Sequence, residues 1–216
     1  MKLASLKRRL KGLTLIETMI SSTILLLISG ASYMILHNGM QLYRAYQDAL
    51  DAQQGGLAIL RLTGDLVRSS SSAYVLADPT DGVTFCNPYK PDGRMGYDIV
   101  MGSPTEGKLY WQAYTCIYRN QATNEVLRKD EPLAAPQITP LDPSSAAPVR
   151  DVAYFTTLGV TKRILGKGVT RFVVKIDPTA AALSKANTYI IELTLGDIND
   201  TSRYGLVMTS QVTPAN

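Results

Sequence analysis

The sequence predicts an α+β fold: a long N-terminal helix packed on an antiparallel β-sheet domain. Three observations predict it. A run without formal charge fills Thr18 to Leu36. A helical spacing of apolar residues continues beyond it to about Arg68. From Tyr74 onward that spacing gives way to short alternating segments separated by turn residues. With 216 residues, 45% of them hydrophobic, the chain suffices for one domain of ordinary size plus an extended element.

The first element is a basic leader, residues 1–12. Lys2, Lys7, Arg8, Arg9 and Lys11 occur there with no acidic residue. The remainder of the chain holds seventeen basic and eighteen acidic residues, so the high pI belongs to the leader. The body therefore lacks the concentrated positive face that nucleic-acid binding needs, and no nucleic-acid partner is expected.

The second element is an apolar helix, residues 13–36. Leu13 to Ile16 extend the uncharged run to the roughly 20 residues that cross a bilayer. The cationic leader favours an N-terminus that stays in the cytoplasm, with the body on the far side. A cleaved signal peptide, with small residues at Ser29 to Ser32, and a simple uncleaved anchor are alternatives. Neither accounts for Glu17, because a carboxylate within a bilayer is costly and usually has a partner.

"KGLTLIET", Lys11 to Thr18, resembles the type IV prepilin motif, a basic leader ending in glycine with a glutamate five residues beyond. Leu13 stands where that family usually has Phe. The resemblance implies cleavage after Gly12 by a prepilin peptidase and N-methylation of the new terminus, Leu13. It implies that Glu17 is an assembly charge, neutralising the N-terminal amine of a neighbouring subunit. "AQQGGLAILRLTGDLVRS", Ala52 to Ser69, is similar to the post-membrane helix of J-type pseudopilins and W-type minor pilins, through Ile59, Leu60, Arg61, Asp65 and Leu66. The strands "VTRFVVKI" and "TYIIELTL" and the ending "TSQVTPAN" are similar in style. The chain without its leader is also large for a major pilin.

The resemblance thus implies a minor subunit that initiates or caps a filament for adhesion, motility, DNA uptake or type II secretion. Its partners would be other minor and major pilins or pseudopilins, the peptidase, an inner-membrane assembly platform and membrane lipid. Its place would be the bacterial inner membrane, crossed once. The competing reading is a membrane-anchored extracytoplasmic binding domain that never polymerises.

The third element is an amphipathic helix, residues 37–68. Tyr43, Tyr46, Leu50, Leu57, Leu60 and Val67 follow a heptad-like seam, the expected packing stripe, opposite a charged and amide-rich face. Gly55-Gly56 is read as close packing against a strand, with a hinge as the alternative. His37 has no metal partners in sequence and is read as solvated or interfacial. "SSSSA", Ser69 to Ala73, ends the helix.

The body, residues 69–216, reads as strands at "SAYVLA", "GVTFC", "YDIVMG", "KLYWQAYTCIYR", "EVLRK", "VAYFTT", "VTRFVVKI", "TYIIELTL" and "YGLVMTSQV", with the last three joined as hairpins in one antiparallel sheet. Val169, Phe172 or Val173, and Ile176 are expected in the core. Residues 130–149 carry Pro132, Pro136, Pro140, Pro143 and Pro148 and are expected to form an exposed irregular loop.

Cys86 and Cys116 match no zinc or redox spacing. Outside the cytoplasm they are expected to form a disulfide; in the cytosol they would be two reduced core thiols. "LGKGVT", Leu165 to Thr170, lacks phosphate-loop spacing and reads as a glycine turn. Asp197, Asn199 and Asp200 fit a polar hairpin turn better than a calcium loop. No catalytic motif is present in the sequence, and no enzyme activity, metal or cofactor is expected.

Overall fold

The computed structural model describes residues 14–71, 74–78, 82–89, 95–97, 107–179, 187–196 and 205–214. The chain divides into two units, Met1–Ala49 and Leu50–Asn216. The long N-terminal helix packed on antiparallel sheets is present, an α+β arrangement.

Helix α1 spans Leu15–Ser69. From residue 14 to 49 every described residue is exposed, apolar side chains included. Mean hydropathy reaches 1.8 in this helix, so it is long and apolar enough to cross a membrane. Its C-terminus matches the serine signal. The Ser69 and Ser70 hydroxyls donate to the carbonyls of Leu66 (2.8 Å) and Val67 (2.6 Å), two of the acceptors a helix end leaves open.

Beyond α1, the described residues of the second unit form nine strands and a short helix. The strands are β1 (Val75–Asp78), β2 (Gly82–Asn87), β3 (Gly96–Tyr97), β4 (Leu109–Asn120), β5 (Glu125–Gln137), β6 (Lys162–Lys167), β7 (Val169–Ile176), β8 (Tyr189–Leu195) and β9 (Leu206–Val212); α2 is Val152–Thr157. They form two sheets, where the sequence suggested one. The first runs β1-β2-β4-β5-β6, with β3 also on β4; the second runs β7-β8-β9. All pairings are antiparallel. "LGKGVT" is indeed a turn. Gly168, at φ 72°, lets the chain leave β6 and enter β7.

The main core joins α1 to both sheets through Ile59, Leu60, Leu66 and Val67 of the helix, Phe85, Ile117 and Val126 of the first sheet, and Phe172, Ile191 and Leu193 of the second. A smaller core lies on the first sheet's other face, where Tyr114, Cys116, Tyr118 and Leu127 meet Val152 and Phe155 of α2. β2 and the middle of β4 are buried on both faces, the polar Thr84, Asn87 and Thr115 included.

Several expectations are corrected. The helix seam is rotated: Leu60 and Val67 are buried, but Tyr43, Tyr46 and Leu57 are exposed and Leu50 is half-buried. The buried face is instead Gly56, Ile59, Leu60, Thr63, Gly64, Leu66 and Val67. Glycines set it. A Cβ on Gly56 would lie 2.7 Å from Leu195 Cδ1 and 2.8 Å from Met208 Sδ, and one on Gly64 would lie 3.1 Å from Val212 Cγ2. Gly56 is therefore the close-packed member of its pair; Gly55 meets nothing.

"VAYFTT" is helix α2, not a strand. Asp151 caps it, accepting from the Tyr154 N–H at 2.7 Å, and Val152 and Phe155 are buried one turn apart. "KRILGK" is an additional strand, β6. Val169, Phe172 and Val173 are buried as expected, whereas Ile176 is exposed at the strand end.

The proline segment is not irregular throughout, since Asp130 to Gln137 belong to β5. β6 reaches only as far as Lys129, so the rest of β5 is paired to β4 alone and a missing proline N–H is tolerated on the open side. The register breaks between Ala113↔Pro132 and Trp111↔Gln137, which takes Pro136 out of the ladder.

Candidate functional site

The N-terminus of α1 is the region the sequence singles out. Gly12 and Leu13 lie outside the described residues, as do Asp197 to Asp200. Glu17 is described. It is the third helical residue, and Thr14 precedes the first. The Thr14 N–H and hydroxyl donate to Glu17 Oε2 at 2.9 and 3.0 Å, and the Glu17 N–H points back at Thr14 Oγ1 at 3.4 Å. This is a reciprocal capping box. The sequence carries the signal for it, Thr14-x-x-Glu17 ahead of an apolar run. Thr14 is thus a functional candidate that the sequence reading missed.

Farther along α1, Tyr33 stacks on His37 with ring centroids 5.9 Å apart, and His37 shares a 3.0 Å hydrogen bond with Gln41. These residues are one turn apart and exposed, an arrangement suited to an apolar–aqueous boundary.

In the body, several of the described polar groups are tied into structural networks. Arg150 grips Glu131 with two N–H donors at 2.8 and 3.0 Å while the Tyr154 hydroxyl donates to the same carboxylate at 3.0 Å. Its guanidinium lies 4.6 Å from the Tyr154 ring centre and 5.8 Å from that of Tyr114. The hydrogen bonds to Glu131 hold the Arg150 pKa above its ordinary value. This clamp fastens the end of the proline segment onto β5.

Lys129 is buried, and its Nζ donates to the carbonyls of Phe155 (2.6 Å), Leu158 (2.8 Å) and Thr156 (3.5 Å). It closes the C-terminal end of α2 with a cation, where the helix dipole favours one. Across β2, β4 and β5, Asn87 donates to Thr115, and Thr115 to Asp130, at 3.0 and 2.6 Å.

Cys86 and Cys116 are both free and buried, so the expected bridge is not formed. The reason is register: Cys86 stands opposite Tyr114, and Cys116 opposite Thr84. The thiols share a face but sit on a diagonal, a geometry less suited to a bridge than a direct pair. Burial raises both thiol pKa values, that of Cys116 to about 12. Neither is an activated nucleophile, which would need a depressed pKa.

Among the described residues no group of three or more His, Cys, Asp or Glu could hold a metal ion. One open cleft of about 280 Å³ is lined by Ser71, Lys108, Leu109, Trp111, Ile138 and Pro140. No family model, curated protein or solved structure matches this chain.

Proposed function

We propose that the chain is a minor pilin or pseudopilin, a structural subunit held in the bacterial inner membrane by α1 until it enters a filament. In this reading it is cleaved after Gly12 and methylated at Leu13. Together with related subunits it initiates or caps a filament serving adhesion, motility, DNA uptake or type II secretion. The observation that carries the reading is α1 itself. One helix begins at the leader motif "KGLTLIET", is apolar and bare of packing from Leu15 through Leu36, and ends as a glycine-faced element seated in an antiparallel body. An apolar surface of that size needs lipid or sister helices around it.

Mass spectrometry of the chain expressed with and without a prepilin peptidase tests this. A mature chain that begins at N-methylated Leu13 only when the peptidase is present is expected. An intact Met1, or a start near Ser32, overturns it.

The capping box gives the non-polymerising anchor its own support, because Thr14 already supplies Glu17 with two donors inside the chain. Glu17→Gln separates the readings. Glutamine retains the capping acceptor but not the charge. If Glu17 is an assembly charge, E17Q remains anchored and helical but fails to co-assemble with partner subunits. If Glu17 is only a cap, E17Q behaves as wild type while E17A and T14A lose helix at residues 14–18.

A further inference from the structure

Exposed sheet edges attract foreign strands, and proteins blunt them with charge, proline or brevity. Every free edge described in this body is blunted except one. β6 carries Lys162, Arg163 and Lys167; β7 carries Arg171 and Lys175. β1 is four residues long and ends in Asp78, and β3 has two residues. The part of β5 beyond β6 carries Asp130, Glu131, Pro132 and Pro136. β9, "LVMTSQV", has seven residues and neither a charge nor a proline. It pairs only with β8 among the described strands, and Leu206, Val207, Thr209 and Gln211 are exposed along it, Val207 by 64%.

The flank beside this edge includes an exposed apolar residue. Gly56 of α1 lies against Met208, and Gly64 against Val212. Eight helical residues advance about 12 Å and four strand residues about 13 Å, so α1 and β9 run side by side in the same direction. Leu57, next to Gly56 and turned about 100° away from the buried face, is 51% exposed. A strand added to β9 would direct alternate side chains toward that leucine.

We infer that β9 is a docking edge that receives an extended, uncharged segment of a partner polypeptide, apolar at alternate positions, as a fourth strand of the second sheet. Main-chain hydrogen bonds would hold the segment, and the Leu57 flank would select its apolar face. Leu206 to Val212 carry no charge of their own to pair with a charged segment. A second copy of this chain is the competing occupant, and trapping a β9-linked dimer separates it from a foreign segment.

The test uses the full chain in detergent micelles and a fluorescein-labelled nonapeptide of alternating valine and threonine with a terminal lysine pair for solubility. Saturable binding by anisotropy is expected, with slowed amide exchange confined to β9. Backbone N-methylation of the peptide at alternate positions is expected to weaken binding tenfold or more. T209K, at an exposed position, is expected to do the same without shifting Tm. Binding indifferent to N-methylation or to T209K overturns the proposal. So do a β9-linked dimer of the chain, trapped through T209C, and protection of β9 by vesicles but not by peptide. None of these results bears on leader cleavage, so the two proposals fail separately.

Discussion

Gly56 is the residue on which the seating of α1 depends. Leu193, Leu195 and Met208 occupy the space a methyl group would need. G56A is expected to destabilise the body by about 1–3 kcal/mol through overpacking, toward the lower end because the neighbours are flexible side-chain tips. G55A, which meets open space, is expected to stabilise it by up to about 1 kcal/mol through helix propensity. Chemical denaturation of the two single variants gives opposite signs if the helix is seated as described. Cys116 supplies a pH prediction. Its thiol pKa is raised from 9.0 to about 12 by burial, so the unfolded chain ionises first. The stabilising difference is complete below pH 9 and is lost as pH rises from about 9 to about 12, at up to about 1.4 kcal/mol per pH unit. C116A should flatten the alkaline limb of a stability–pH profile and leave the neutral region parallel.

At the scale of elements, α2 illustrates why some features were legible in the sequence and others were not. Five of its six residues, "VAYFTT", are aromatic or β-branched, and six are too few to separate a helical from a strand period. It exists by virtue of its surroundings: the Asp151 cap, the burial of Phe155, and Lys129 on its last carbonyls. D151A is expected to cost about 1 kcal/mol. K129M, which leaves those carbonyls without their donor, is expected to cost about 1–3 kcal/mol. Near-UV circular dichroism of Tyr154 and Tyr114 would report whether α2 has loosened. Strands β2, β4, β7, β8 and β9 were legible because alternation and turn residues bound them. The α1 stripe was legible only at Leu60 and Val67. A seam sought among large apolar residues misses contacts made by Gly56, Thr63 and Gly64. The prolines of β5 point in sequence to the end of a strand, whereas on a half-open edge they only interrupt one. At Glu17 the sequence held two signals at once, a leader motif and a capping box, and the structure displays the second.

For the whole molecule, the exposed apolar length of α1 predicts that the full chain partitions to membranes and is released by detergent but not by high salt or carbonate; carbonate-soluble chain would contradict the anchored reading. Within the body, β4 has β2 and β5 on its edges, α1 and its core partners on one face, and α2 on the other. Its central amides are expected to exchange only through opening of the entire body, while those of β6 and β9 exchange through local openings. The Cys116 thiol, in the middle of β4, then becomes a clock. In native conditions with excess alkylating reagent, its labelling rate counts how often the whole body comes apart, with no denaturant and no added probe.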